Sequence, residues 1–145
     1  RPASASMSRG VFVTGTDTGS GKTHVCGELL RSLGRQGLRV AGFKPVAAGA
    51  DWVDGNLQND DAMALRAASN VDLSYPAVNP YCFEPPISPN LAAAEAGVRI
   101  DPAGTSRAEA SMASAMSSGT RGRPAMWLIT VNASRAETRP SSLTS

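Results

Sequence analysis

Histidine occurs once in the 145 residues, and lysine and cysteine twice each. A single histidine rules out a histidine-rich metal cluster, and two cysteines far apart, Cys26 and Cys82, rule out a C-x-x-C redox motif or a zinc ribbon. With no secretory or transit pattern ahead of them, the cysteines are expected as free thiols in a reducing compartment, which makes the cytoplasm the expected location. No apolar run exceeds about five residues, against the roughly 20 that a membrane-spanning helix requires, so no membrane role is expected. Basic charge is also scarce: the formal net charge is +2, and lysines and arginines are scattered rather than clustered. Nucleic acid is therefore not an expected partner. What the chain does have is 41% hydrophobic and 18% charged residues, a composition able to bury one modest core.

Three stretches differ in character. Residues 1–6 precede Met7 and carry no periodicity, and are expected to be an extension. Residues 7–100 alternate strand and helix patterns and form the expected folded part. Residues 101–145 hold nine Ser, eight Ala, five Thr and five Arg but no Lys, and they are expected to be an unmatched tail, out of frame or disordered. Within that tail only residues 126–131, MWLITV, resemble a strand.

In the middle stretch, residues 11–14 read as a buried parallel strand and residues 22–36 as an amphipathic helix carrying Val25, Cys26, Leu29, Leu30 and Leu33. Gly37 stands where a left-handed C-cap belongs, and residues 39–43 read as the next strand. A loop is expected over 48–58, then a helix N-capped by Asn59 or Asp60. Residues 78–83 read as an edge strand or extended loop because of Pro80, and residues 90–96 as a short helix.

The densest signal is Gly15-Thr16-Asp17-Thr18-Gly19-Ser20-Gly21-Lys22-Thr23, between the first strand and the first helix. Its glycines let consecutive backbone N–H groups face one anion at a helix N-terminus. Lys22 adds a point charge for the β and γ phosphates, and Thr23 a hydroxyl for Mg²⁺. The usual spacing G-x-x-x-x-G-K-[ST] asks for glycine at 16, where this chain has Thr16, so the loop is a variant. The expected fold is α/β, a P-loop NTPase-like parallel sheet with flanking helices, apparently truncated.

Lys44 directly follows the second strand in Lys44-Pro45-Val46-Ala47-Ala48-Gly49. Strand ends are where open α/β sheets place ligands, so Lys44 can hold a phosphate or carboxylate or stabilise an anionic transition state; its bland alternative is a solvated surface lysine. Asn59-Asp60-Asp61-Ala62 is either simple helix capping or a source of a magnesium ligand. His24 reads as local structure, and Cys26 and Cys82 as packing residues.

Together, GTDTGSGKT (15–23), KPVAAG (44–49), NDDA (59–62) and VNPYCFEPPISPNLAA (78–93) resemble, in order and approximate spacing, the ATP-dependent dethiobiotin synthetases of biotin synthesis. The resemblance implies closure of a cyclic urea on 7,8-diaminopelargonate from CO₂ or bicarbonate and MgATP, through a carbamate and a carbamic-phosphoric anhydride. It implies that Gly19, Ser20, Gly21, Lys22, Thr23 and His24 hold the ATP phosphates, that Lys44 is the active-site lysine, and that Thr23 and Asp61 are magnesium ligands, Asp61 also contacting ATP. Thr18 then lies near the diamine, as does Ala48, where the family commonly has a substrate-contacting serine; Asn90 stands where it often has histidine. A cytoplasmic homodimer is implied as well.

The family continues with a strand ending in a glutamate-glycine motif that supplies a further magnesium ligand. No Glu-Gly pair follows Ile100 in this chain. Two alternatives to the ligase accordingly stand: a non-catalytic nucleotide switch related to the partitioning and delivery ATPases, and an inactive truncated product.

Overall fold

The computed structural model describes residues 9–15, 21–117 and 125–132. In chain order the elements are β1 (Arg9–Gly15), α1 (Lys22–Arg35), β2 (Arg39–Phe43), β3 (Val46–Ala48), β4 (Asp51–Val53), β5 (Asn56–Gln58), α2 (Asp60–Ala68), α3 (Tyr75–Val78), β6 (Tyr81–Phe83), α4 (Pro89–Glu95), α5 (Pro102–Ser117) and β7 (Ala125–Asn132). The main sheet is parallel with order β1-β7-β2, so the strand pattern at 126–131 lies at its centre. Phe12 and Phe43 both align with Ile129 and therefore point to one face of the sheet.

Each face has its own core. On one, Cys26 and Leu30 of α1 and Leu65 and Ala68 of α2 pack on Val40. On the other, Ala41 and Phe43 pack with Ala62, Leu73, Val78, Met112 and Met116. Packing of α2 on β2 is tight because position 42 is glycine: an added Cβ would lie 2.8 Å from Leu65 Cβ. The outer edge of β2 is closed by a turn, where Ser69 Oγ accepts from the Gly42 N–H at 2.9 Å and Asn70 Oδ1 from the Val40 N–H at 2.8 Å. Those bonds satisfy edge donors that would otherwise lie open.

The helix ends follow their local chemistry. Gly37, φ +87°, provides the left-handed residue after α1, and Asn59 caps α2 by accepting from the Ala62 N–H at 3.3 Å. Asp101 does the same for α5: its carboxylate accepts from the N–H groups of Ala103 at 2.9 Å and Gly104 at 3.1 Å.

Four expectations need correction. The strand expected to be buried over 11–14 is an edge of the main sheet, with Val11 and Phe12 36% and 61% exposed. The expected loop over 48–58 contains the antiparallel hairpin β4–β5, turned by Asp54 (φ 50°) and Gly55 (φ +77°), the paired left-handed residues of a type I′ turn. Val78 ends the one-turn helix α3 rather than starting a strand; the edge strand proper is β6, which pairs in parallel with β3. Over 102–117 the expected tail is a helix with Met112 and Met116 fully buried, tied to β2 by the Arg39 guanidinium donating to the Met116 carbonyl. Residues 1–6, 118–124 and 133–145 lie outside the described residues.

Candidate functional site

Gly21 begins α1 in the left-handed region, φ +80°, and its carbonyl accepts from the Val25 N–H at 2.9 Å. The expected phosphate-contacting residues divide here. Lys22 and Thr23 are half-buried and His24 is exposed on the first turn of α1; Thr18, Gly19 and Ser20 lie outside the described residues.

Lys44 is buried, with 3% of its surface exposed, which removes the solvated-surface alternative. Its Nζ donates to Asp61 Oδ2 at 3.2 Å, and the Asp61 side chain is 47% exposed. The two come together because β2 ends at Phe43 while α2, starting at Asp60, packs across the same strand. A lysine this far from water needs an opposite charge, and Asp61 supplies it while keeping surface toward solvent. Lys44 also acts on Cys26 of α1: burial pushes the Cys26 thiol up, and the lysine charge partly offsets that.

Below the pair lies a polar network the sequence reading did not anticipate. The Lys44 N–H donates to the Val78 carbonyl at 2.9 Å, and its own carbonyl accepts from Asn79 Nδ2 at 2.7 Å. Asn79 Nδ2 also donates to the Tyr81 carbonyl at 3.1 Å, and Asn79 Oδ1 accepts from the Tyr75 hydroxyl at 2.9 Å. That hydroxyl accepts from the Asn59 N–H at 2.8 Å, and Asn59 Nδ2 donates to the carbonyls of Ala48 at 3.4 Å and Gly49 at 3.2 Å. Three segments distant in sequence, 44–49, 59–62 and 78–83, are thus one hydrogen-bonded unit. Asn59 and Asn79 are its buried hubs, at 7% and 2% exposure. Asn79 was legible only as part of a matching segment, and Tyr75 carried no signal beyond an aromatic residue near a proline.

Among the expected substrate neighbours, Ala48 is half-buried in β3 and offers its carbonyl to Asn59. Asn90 is exposed on α4, away from these bonds. Asp60 is exposed at the start of α2, where its charge suits the helix dipole.

For a divalent cation, Thr23 and Asp61 offer a hydroxyl and a half-exposed carboxylate on two helices packed against each other. Both are hard oxygen donors of the kind magnesium takes together with waters and phosphates, so these residues fit the ion. Among the described residues no group of three or more His, Cys, Asp or Glu side chains gathers as a metal cluster, and no helix is long and apolar enough to cross a membrane.

The sequence pattern of the AAA domain family matches residues 9–115. The chain belongs to the AAA domain family. The match runs into α5, beyond residue 100. This AAA domain chain is also 52% identical over 95 residues to the ATP-dependent dethiobiotin synthetase of Aromatoleum aromaticum, covering 66% of this chain and 42% of that protein. With the enzyme of the same name from Aeromonas hydrophila it shares 49% identity over 90 residues, covering 62% and 40%. With one from Escherichia coli O157:H7 it shares 43% over 115 residues, covering 79% and 46%. The AAA domain chain therefore spans between two fifths and half of the length of the curated relatives it matches.

Proposed function

We propose that the chain carries the nucleotide-binding and lysine-bearing part of an ATP-dependent cyclo-ligase of the dethiobiotin synthetase type. The observation that carries this reading is the buried Lys44 ammonium at the end of β2, neutralised by a half-exposed Asp61. A cation fixed in place and screened from water is what an anionic, phosphoryl-transferring reaction requires. Names and identities of 43–52% in the matched relatives support the same direction.

In this reading one amine of 7,8-diaminopelargonate bonds to CO₂, giving a carbamate. A carbamate oxygen then attacks the γ phosphorus of ATP, releasing ADP and forming the carbamic-phosphoric anhydride. The second amine attacks the carbonyl carbon, phosphate leaves, and the urea ring closes. Residues 19–24 hold the triphosphate, Lys44 meets the negative charge of carbamate and transferring phosphoryl group, and Thr18 and the Ala48 backbone border the diamine. Thr23 and Asp61 would hold magnesium, which would neutralise phosphate charge. A cytoplasmic homodimer belongs to the same proposal.

The test is MgATP titration by calorimetry, followed by ADP release with and without the diamine and bicarbonate. Saturable binding and release that needs both co-substrates supports the ligase. ADP release indifferent to the diamine overturns it, and absence of MgATP binding overturns the nucleotide assignment.

A further inference from the structure

The Tyr75 hydroxyl stands at a junction whose proton directions are fixed by chemistry. Asn79 spends both protons of its Nδ2 on the carbonyls of Lys44 and Tyr81, so its Oδ1 must accept. The single hydroxyl proton of Tyr75 goes there, at 2.9 Å. Its oxygen then accepts from the Asn59 N–H at 2.8 Å, and the Cys82 thiol 3.4 Å away is left as a donor to it. One side of the junction grips the Lys44 backbone through Asn79; the other grips the residue that caps α2, two positions before Asp61. Both members of the ion pair are thus placed by bonds that meet at one oxygen.

We infer that Tyr75 is a positioning residue for Lys44, its hydroxyl setting through Asn79 and Asn59 the register in which the lysine ammonium meets the Asp61 carboxylate. This rests on the proposed function for its purpose, since the lysine is the group expected to face anionic substrate, but not for its geometry. The phenol's ring packs against the cluster of Ala41, Phe43 and Val78, so Tyr75→Phe keeps the packing and deletes only the junction. Burial pushes the Tyr75 hydroxyl and the Cys82 thiol up, so both stay protonated in their donor roles at neutral pH.

The chain has only two lysines, which gives a direct readout. Pulse acetylation followed by mass spectrometry reports Lys44 modification with Lys22 as internal reference. Loss of the junction is expected to raise the Lys44 rate about tenfold relative to Lys22, the equivalent of a hydrogen bond to a buried group. Leu73→Ala, which weakens the same core and removes none of the network's hydrogen bonds, should leave that ratio near the wild-type value at matched stability. An unchanged ratio in Tyr75→Phe overturns the inference, as does an equal rise in Leu73→Ala. Should Tyr75→Phe fail to fold, Tyr75→Met, which also deletes the hydroxyl while leaving the Asn79 bond to the Lys44 carbonyl in place, decides by the same criterion. Calorimetry with MgATP on the wild-type chain is a separate measurement: absent binding removes the proposed function, while the labelling ratio still decides the role of Tyr75.

Discussion

Lys44 Nζ and Asp61 Oδ2 lie 3.2 Å apart, yet the lysine side chain is 4% exposed and the aspartate 47%. The asymmetry decides what each substitution does. Asp61→Asn strands a buried ammonium and should cost about 1–3 kcal/mol, less than a fully buried pair because water reaches the aspartate side. Lys44→Met removes the charge itself and fills its volume with apolar atoms, so it should leave stability near wild type or above it. Chemical denaturation of both variants checks the order; a Lys44→Met chain less stable than Asp61→Asn contradicts the account.

The two lysines should separate by role. Under the proposed function Lys22, at the start of α1, is a phosphate anchor, so Lys22→Ala should weaken MgATP binding by at least tenfold. Lys44→Ala, in the same calorimetric titration, should keep affinity within about threefold while depressing turnover. Equal losses of affinity would contradict the division.

Asn59 tests the junction between cap and loop. Its Oδ1 caps α2 while its Nδ2 holds the carbonyls of Ala48 and Gly49. Asn59→Ala should lose about 1–2 kcal/mol, the cost of the cap together with two unmet carbonyls. Asn59→Asp preserves the cap but turns a carboxylate oxygen toward those carbonyls, so its thermal midpoint should fall below that of Asn59→Ala.

Elements whose signal is local were legible in the sequence. β2 spans the expected 39–43 without change, α1 ends one residue early, and Gly37 adopts the left-handed conformation expected of it. The β4–β5 hairpin has its signal in Asp54-Gly55, but Trp52, Val53 and Leu57 are a short apolar supply for two strands, and the polar, glycine-bearing composition of 48–58 outweighs it. Asp101-Pro102 is a helix start, an acidic cap followed by proline; the Ser and Ala content after it concealed that Met112 and Met116, four apart, form a buried stripe on α5. At the site, Lys44 and Asp61 stood out as residue types at strand and helix ends. The Tyr75–Asn79–Asn59 network could not be read, because each of its bonds joins segments brought together only by the packing of α2 and α3 on β2.

Gly42 gives a packing prediction with a sharp control. A Cβ there would meet Leu65 Cβ at 2.8 Å and Leu30 Cδ1 at 3.1 Å, so Gly42→Ala should destabilise by about 1–3 kcal/mol. Because the closest atom is itself a Cβ, Leu65→Ala in the same chain cannot relieve the clash and should add its own cavity cost. A double variant more stable than Gly42→Ala alone, by thermal denaturation, would contradict this packing.

Alkaline pH should unfold the chain from the inside. Cys26 and Cys82 have an ordinary pKa of 9.0 and Tyr75 one of 10.0, and burial raises all three in the folded state. For an acid whose folded pKa exceeds its unfolded value, the unfolded chain sheds its proton first. The stabilisation is therefore fully present below the unfolded pKa and is lost as pH climbs toward the folded one. The thermal midpoint should then be flat from pH 7 to 8.5 and fall progressively above 9.0. Replacing Cys26 by Ala removes one contributor, so the variant, although less stable at neutral pH from lost packing, should show a shallower decline between pH 9 and 10.5. A decline as steep as that of the wild type would mean that the Cys26 thiol contributes nothing to the alkaline limb.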